Sequence, residues 1–202
     1  MRVKNYRFLG YFGVILVSIL FWLSFFTIFY SYKDFEQVQI FITSHTYYSN
    51  IENQLLENVN ENTLKNIVVT HVSYDDDNYD SALVTVGMLD SDILILPESV
   101  LNHHTIEYEF IELSDSYLDI YGIDLSNFEL LTISDTVYAI KVYDSETKTS
   151  YLNEYVSFSY EDTNDYYILI NASSINAGDY GIVEQNTTTN VFKVLKELLD
   201  PK

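Results

Sequence analysis

The stretch that decides the fold is residues 66–99, which read NIVVTHVSYDDDNYDSALVTVGMLDSDILILPES. Residues 66–72 are rich in apolar and β-branched side chains and predict a strand. Residues 79–89 predict a short helix after an Asp-rich turn. Residues 92–96 predict a second strand, and the apolar run that follows Asp92 is typical of a strand covered on both faces. The stretch therefore predicts a strand–helix–strand unit that Pro97 ends.

The segments before this unit extend the same alternation of strands and helices. Residues 37–43 alternate between polar and apolar side chains and predict a strand. Residues 51–59 carry apolar side chains at helical spacing, and Ser49 or Asn50 can cap them. Strand, helix, strand, helix and strand within 60 residues indicate a parallel sheet with right-handed crossovers.

The second half of the chain is richer in predicted strands, at residues 105–113, 128–133, 137–143, 151–160 and 166–171. The second and third of these are expected to form a hairpin around Ser134 and Asp135. A closing helix, capped by Thr187 or Thr188, is expected to place its apolar side chains on one face. The predicted fold class is α/β: one three-layer-like domain with a mixed, mostly parallel sheet flanked by helices, preceded by a transmembrane helix.

The N-terminal segment carries that transmembrane prediction. Three basic residues are followed by 25 residues without a charge, residues 8–32, which is longer than the roughly 20 residues that cross a bilayer as a helix. Basic flanks stay in the cytoplasm. The prediction is a cytoplasmic tail (residues 1–9), a signal-anchor (residues 10–31) and an extracellular domain (residues 32–202), in a single-pass protein of the cell membrane. A cleaved signal peptide is the alternative.

Composition excludes several kinds of site. The chain has no cysteine, so disulfides, thiol catalysis and cysteine metal sites are excluded. The formal net charge is −20, and all 30 acidic residues follow the N-terminal segment. Such a surface repels nucleic acid, because affinity for phosphate backbones comes from Lys and Arg. No nucleic-acid partner is therefore expected.

The order of elements resembles the extracellular solute-binding proteins of ABC importers. The segments that carry the resemblance are residues 41–45, 66–99, 137–143 and 166–171. As in that family, a helix that ends near Gly87 leads into a strand that begins Asp92-hydrophobic-hydrophobic. Residues 137–143 look like the segment with which the chain re-enters a lobe, usually written Y-[AG]-[IV]-P, although Lys141 stands where the family commonly has proline.

This resemblance implies one lobe of such a protein. It covers most of residues 37–199. Family members have two lobes and are considerably longer, whereas this chain has room for one lobe. The chain is therefore expected to be a truncated, membrane-anchored lobe, in which two lobes cannot close over a ligand within a monomer.

Ligands of open parallel sheets bind at the carboxyl ends of the strands. The side chains predicted there carry hydroxyls, carboxylates and aromatic rings, which suit a sugar or another polar solute. The candidate ligand-binding residues are Ser44, His45, Tyr47, Tyr74, Asp75, Glu98 and Ser99. The alternative is that these side chains only cap helices and close turns.

Metal sites and catalytic motifs find little support. Residues 75–80 are acidic, but an EF-hand needs glycine at the sixth position, which is Asp80, and glutamate at the twelfth, which is Val86. The histidines are scattered or adjacent and do not suggest a zinc site. Hydrolase, metalloprotease and nucleotide-binding motifs are missing. No metal, no cofactor and no enzymatic activity are predicted.

The sequence thus leads to two hypotheses of different classes. The first is a non-catalytic, membrane-anchored extracellular domain that binds a small polar solute at the strand ends. The second is a structural or assembly component of the cell envelope that recognises another membrane protein. Unfolding experiments with candidate solutes would distinguish them, because a bound ligand stabilises the folded state.

Overall fold

The computed structural model describes residues 3–30, 33–180 and 188–200, and within them the side chains of residues 10–23, 33–114, 118–178 and 188–200. The chain divides into two units, Met1–Lys33 and Asp34–Lys202. The strands are β1 (Gln37–Thr43), β2 (Thr46–Tyr47), β3 (Asn66–Val72), β4 (Ile93–Pro97), β5 (Leu130–Ile133), β6 (Thr136–Asp144), β7 (Thr149–Ser150), β8 (Val156–Ser157) and β9 (Tyr166–Ile170).

Seven α-helices accompany these strands in the described ranges. They are α1 (Val3–Tyr30), α2 (Ile51–Val59), α3 (Tyr79–Ala82), α4 (Glu98–Leu101), α5 (Ile106–Glu109), α6 (Asp115–Tyr121) and α7 (Asn190–Leu199). Helix α3 continues directly into a π-helical turn, Leu83–Met88. Short 3₁₀ turns occupy Asp34–Glu36 and Ile175–Tyr180. The helices predicted at residues 51–59 and 79–89 and the closing helix are confirmed, but the residue that precedes the closing helix is Thr189 rather than Thr187 or Thr188.

The second unit is built on one mixed sheet in the order β3-β1-β4-β9-β6-β5, with β7 paired to β6. Strand β1 runs parallel to β3 and β4. The other four pairings, β4–β9, β9–β6, β6–β5 and β6–β7, are antiparallel. The mixed sheet flanked by helices is confirmed, but "mostly parallel" is wrong, because β9 returns between β4 and β6 and makes both of its pairings antiparallel.

Both faces of this sheet are covered, which explains its continuous apolar strands. Along β4, Ile93 and Ile95 belong to the core cluster that α7 closes, whereas Leu94 and Leu96 belong to the cluster beneath α3 and α4. Successive side chains of a strand point to opposite faces. The apolar run therefore serves two cores at once, and the three-layer arrangement follows from it.

The N-terminal helix requires a correction. Within α1 the side chains that the structure describes are those of residues 10–23, and all of them are exposed. Among the described residues no helix has both the length and the apolar character to cross a membrane. The predicted transmembrane signal-anchor at residues 10–31 and the single-pass location in the cell membrane are thus contradicted.

Two of the predicted strands are also wrong. Residues 105–113 contain helix α5, and only Phe110 makes an isolated bridge, to Asn171. The place beside β4 is taken by β9, so no strand of this segment can enter there. Residues 151–160 form a turn with only the short strand β8. The hairpin of β5 and β6 is confirmed, and Ser134 and Asp135 in its turn both have positive φ, as a type I′ turn requires.

Candidate functional site at the carboxyl edge of the sheet

The carboxyl ends of β1, β3 and β4 meet at one edge of the sheet, because these three strands are parallel. Strand β9 is antiparallel to β4 and pairs Tyr166 with Pro97, so its first residue lies at the same edge. The loop before β9, residues 158–165, therefore arrives beside the strand ends. A site at this edge is therefore built from the ends of the parallel strands and from the start of the antiparallel strand β9.

A cleft of about 320 Å³ opens at this edge, and we call it the carboxyl cleft. Two groups of side chains line it: those that follow β1 and β3, and those that precede β9. Its lining residues are Ser44, His45, Ser73, Tyr74, Asp75, Ser159, Glu161, Asp162, Thr163, Asn164 and Tyr166. The lining is dominated by carboxylates and hydroxyls.

Four of the seven predicted site residues lie together in this cleft, namely Ser44, His45, Tyr74 and Asp75. The other three do not line it. Tyr47 stacks on His71 with ring centroids 4.8 Å apart. Glu98 is exposed, and its backbone N–H donates to the Asp165 carbonyl at 2.8 Å. Ser99 touches the site indirectly, because its hydroxyl donates to the Tyr74 hydroxyl at 3.3 Å. Binding at these residues stays a prediction.

Sequence reasoning missed the half of the cleft that precedes β9. Residues 161–165 read as a polar turn between two strands, which is correct, but the direction of the following strand cannot be read from periodicity. A parallel β9 would have placed this turn at the opposite edge of the sheet. The usable signal was the density of polar side chains in that turn, which resembles the density at the ends of β1 and β3.

Buried tyrosines lie under the cleft. The Tyr79 hydroxyl lies 3.1 Å from Oγ1 of Thr43 at the end of β1. Burial raises the pKa of Tyr79 to about 12, so its phenol is neutral and can both donate and accept. The Tyr74 ring meets the Tyr79 ring edge to face at 5.2 Å, which leaves Tyr74 40% exposed at the cleft.

The loop before β9 is held to the sheet by a second tyrosine pair. The Tyr166 hydroxyl donates to Oδ2 of Asp162, and the Tyr143 hydroxyl donates to the Ser159 carbonyl at 3.2 Å. Burial and then the Asp162 carboxylate raise the pKa of Tyr166. Phe158 packs on both rings at centroid distances of 4.5 and 4.6 Å. These contacts orient the Asp162 carboxylate at the cleft.

Lys141 anchors the same loop from inside the sheet. Its ammonium lies 2.7 Å from Asp165, 2.8 Å from Glu129 and 3.3 Å from Asp144. Burial alone would lower the pKa of Lys141, but hydrogen bonds to Asp165 and then Glu129 raise it. Burial raises the pKa of Asp165, but the hydrogen bonds from Lys141 and from the backbone and hydroxyl of Ser145 together outweigh it, so the net shift is downward. Lysine and aspartate are therefore both charged.

Two further contacts complete the attachment of this loop. The Lys148 ammonium donates to the Asp162 carbonyl at 2.8 Å, and Oδ1 of Asp165 accepts from the backbone and the hydroxyl of Ser145 at 2.8 and 2.7 Å. Lys148 and Ser145 lie in the β6–β7 turn, and Lys141 lies on β6 itself. The cleft wall before β9 is thus held by strand β6 and the turn that follows it, together with contacts inside the loop such as the Glu161 N–H that donates to the Ser159 hydroxyl at 3.2 Å.

The opposite wall is held by a small antiparallel ladder. Strand β2 pairs with β8, and the backbone N–H of His45 donates to the Ser157 carbonyl at 3.1 Å. The His71 ring lies with Nε2 3.1 Å from the Ser44 carbonyl. Burial lowers the pKa of His71, so this ring is neutral near pH 7 and Nε2–H is its donor. The carboxyl cleft therefore has two braced walls.

The cleft offers many acceptors and little positive charge. Three carboxylates line it (Asp75, Glu161 and Asp162), and none of its lining residues is Lys or Arg. In the described residues no group of three or more His, Cys, Asp or Glu is placed to hold a metal ion. The arrangement suits a solute that presents several hydroxyl or ammonium donors, because each carboxylate only accepts hydrogen bonds.

No protein-family model matches this chain, and no curated protein matches it. Among solved structures the chain is similar to an N-glycan transport solute-binding protein (NgtS) from Streptococcus pneumoniae, crystallised in complex with Man1GlcNAc, with 16% sequence identity and a TM-score of 0.34. The match covers 54% of this chain and 25% of that protein, so this chain spans about a quarter of its length. The likeness to this solute-binding protein is a distant one of fold.

Proposed function

We propose that this chain is a non-catalytic binding domain whose carboxyl cleft takes a small polar solute. The observation that carries the proposal is a concave polar surface of about 320 Å³ at the carboxyl edge of the sheet, with both walls braced by the neighbouring strands. Braced walls reduce the ordering that binding would otherwise require. Convergent polar groups in a concave site are the usual mark of a ligand site.

The lining favours a neutral or cationic solute that carries several hydrogen-bond donors. Asp75, Glu161 and Asp162 accept hydrogen bonds, and hydroxyls such as that of Ser44 can accept or donate. Phosphates and other anions are disfavoured because they would meet three carboxylates. The exposed face of Tyr74 offers a stacking surface for a sugar ring or another flat solute.

Binding rather than catalysis is supported by the hydrogen bonds of the lining residues. In the cleft as described, no serine or threonine hydroxyl is bonded to a histidine: the Ser44 hydroxyl donates to the Thr46 carbonyl at 3.1 Å, and His71 meets a backbone carbonyl. A serine nucleophile needs a base within hydrogen-bond reach. The Asp162 carboxylate accepts a hydrogen bond from the Tyr166 hydroxyl, so it serves to hold the loop in place.

Thermal unfolding of the full chain with neutral sugars, amino sugars, amino acids and polyamines tests this function. A solute at 100 times its Kd stabilises by about 2.7 kcal/mol, which raises the midpoint by about 5–10 °C for a domain of this size. We expect Asp75→Ala to abolish the shift and Asp77→Ala, a matched exposed aspartate two residues away, to retain it. A solute whose shift survives Asp75→Ala unchanged would place its site elsewhere.

A second candidate is recognition of another protein at the same edge. Tyr47, Tyr48 and Tyr74 lie there and are 45%, 49% and 40% exposed, and exposed tyrosine is enriched at protein interfaces. The chain has no cysteine, so Asp75→Cys provides a unique position for a cross-linker at the cleft. A flat result over the whole solute panel, together with a defined protein adduct at Asp75→Cys and none at Asp77→Cys, would favour this function.

A further inference from the structure

A second cavity, of about 330 Å³, lies beside the C-terminal ends of α6 and α7 and shares no lining residue with the carboxyl cleft. We call it the α6–α7 cavity. It is lined by Gly122, Ile123, Asp124, Asn127, Phe128, Tyr151, Lys196, Leu199 and Asp200. Its volume is at the low end of the roughly 300–1,000 Å³ of small-molecule sites, so its ligand would be small.

Aromatic and aliphatic side chains form part of the wall of this cavity. The rings of Phe128 and Tyr151 pack at a centroid distance of 4.5 Å, and the Tyr151 hydroxyl donates to the Asn127 carbonyl at 2.9 Å. Ile123 and Leu199 are buried members of the large core cluster and also line the cavity. A branched or aromatic side chain would find apolar contacts on these sides.

Lys196 lies at the rim of the cavity. Among the described residues the Lys196 ammonium has no ion pair or hydrogen bond, whereas Lys141 and Lys193 are paired with carboxylates. Nζ of Lys196 lies 3.1 Å from where a Cβ on Gly122 would stand, and Gly122 has φ +68°. Glycine at this position therefore lets the ammonium lie directly against the backbone at the edge of the cavity.

Negative charge lines the same cavity. Asp124 and Asp200 are both lining residues. Oδ1 of Asp124 accepts from the Ser126 backbone N–H at 2.9 Å, and this hydrogen bond lowers the pKa of Asp124. A simple anion would meet Lys196 but also two carboxylates, and a simple hydrocarbon would leave all three charges unused. A ligand with both signs of charge matches the lining.

We propose that the α6–α7 cavity binds a zwitterionic amino acid with an apolar side chain. The side chain packs between Phe128, Tyr151 and Leu199, the carboxylate meets Lys196, and the ammonium meets Asp124 and Asp200. The site is separate from the carboxyl cleft, so this proposal does not depend on the function assigned to the cleft.

Calorimetric titration of the full chain with L-leucine and L-phenylalanine tests the site. We expect saturable binding that is weakened by about tenfold or more in Lys196→Gln and in Asp124→Asn, since each loses a charge-assisted contact. Lys65→Gln, a matched exposed lysine outside the cavity, should bind as the wild type does. N-acetyl-leucine and leucinamide should each bind at least about tenfold more weakly than leucine because each lacks one charged group. Glycine should also bind at least about tenfold more weakly, because it has no side chain to bury in the apolar part of the cavity.

Several outcomes would overturn the assignment. They are no saturable binding of either amino acid, binding that Lys196→Gln leaves unchanged, or equal binding of N-acetyl-leucine, which lacks the ammonium. Binding that Asp75→Ala abolishes would move the amino acid to the carboxyl cleft, which supports the function proposed for the cleft and overturns this one. Unchanged tyrosine circular dichroism in each variant confirms that the fold is kept.

Discussion

At the scale of single residues, Lys141 shows how one side chain inside the sheet shapes a site at its edge. It lies on β6 and is 11% exposed, yet it meets Asp165 in the loop that supplies half of the carboxyl cleft. A buried lysine is tolerated only with charged partners, and here three carboxylates surround it. Lys141 thus helps to fix the loop before β9.

Replacing Lys141 by methionine keeps the apolar stem and removes the charge. We expect a loss of about 2 kcal/mol in the free energy of unfolding, below the 3–5 kcal/mol of fully buried pairs, because the Glu129 side chain is 65% exposed and screened. Urea unfolding near pH 7 measures it. Lys65→Met, at an exposed position, is the control and should change little.

The effect of Lys141→Met on stability should depend on pH. The pKa of Asp165 lies below its ordinary value of 3.8, so its stabilising contribution is present above pH 3.8 and is lost as the pH falls through the lowered pKa. The stability difference between wild type and Lys141→Met should therefore shrink as the pH is taken below 3.8. A difference that stays constant down to pH 2 would contradict the ion pair as its cause.

At the scale of elements, helix α7 closes the large core. Val191, Val194, Leu195 and Leu198 are at most 1% exposed, and their spacing puts them on one face. Asn190 at its first turn is also buried, and its side-chain oxygen accepts from the Thr63 hydroxyl at 2.9 Å. Helix α7 covers one face of the sheet, so it stabilises the fold mainly through its buried apolar side chains.

Truncating one of these buried side chains should lower the free energy of unfolding in proportion to the cavity that is left. We expect Leu195→Ala to lower the free energy of unfolding by about 3 kcal/mol, within the range measured for buried leucines. Lys193→Ala on the same helix should cost less than about 1 kcal/mol, since its ion pair with Glu61 is partly exposed. Chemical denaturation of both variants provides the comparison, and equal losses would contradict the assignment of α7 as a core helix.

At the scale of the whole molecule, the two cores lie on opposite faces of one sheet, and their buried members fall between Val38 and Leu199. The unit that contains them begins at Asp34. Large cores of this kind are what allows a domain of ordinary length to fold by itself.

A fragment that starts at residue 34 should therefore fold. We expect one cooperative thermal transition, because all the described members of both cores lie within it. Calorimetry and circular dichroism are the measurements, and agreement of the calorimetric and van't Hoff enthalpies is the criterion. The single tryptophan, Trp22, lies outside this fragment, so its fluorescence comes from tyrosine alone. A fragment without a cooperative transition would show that residues 1–33 are needed for folding.

Elements that depend on local sequence patterns agree with the structure best. The two-faced strand β4, the helices α2 and α7 and the hairpin around Ser134 and Asp135 were predicted correctly, because each depends on local periodicity or on a short polar turn. The predicted strand at residues 105–113 was wrong: Ile106 and Phe110 are buried whereas Tyr108 between them is 81% exposed. A spacing of four residues belongs to one face of a helix. The membrane anchor was inferred from composition, and the described helices contradict it.

The sequence by itself determined the α/β class, the parallel group β3-β1-β4 and the polar residues at its carboxyl ends, because these follow from short-range patterns. Only the tertiary structure decided that β9 enters antiparallel between β4 and β6. That choice brought Glu161 and Asp162 to face Tyr74 and Asp75 across the carboxyl cleft. The partner and direction of a strand are set by contacts with residues far away in the chain, which no local pattern records.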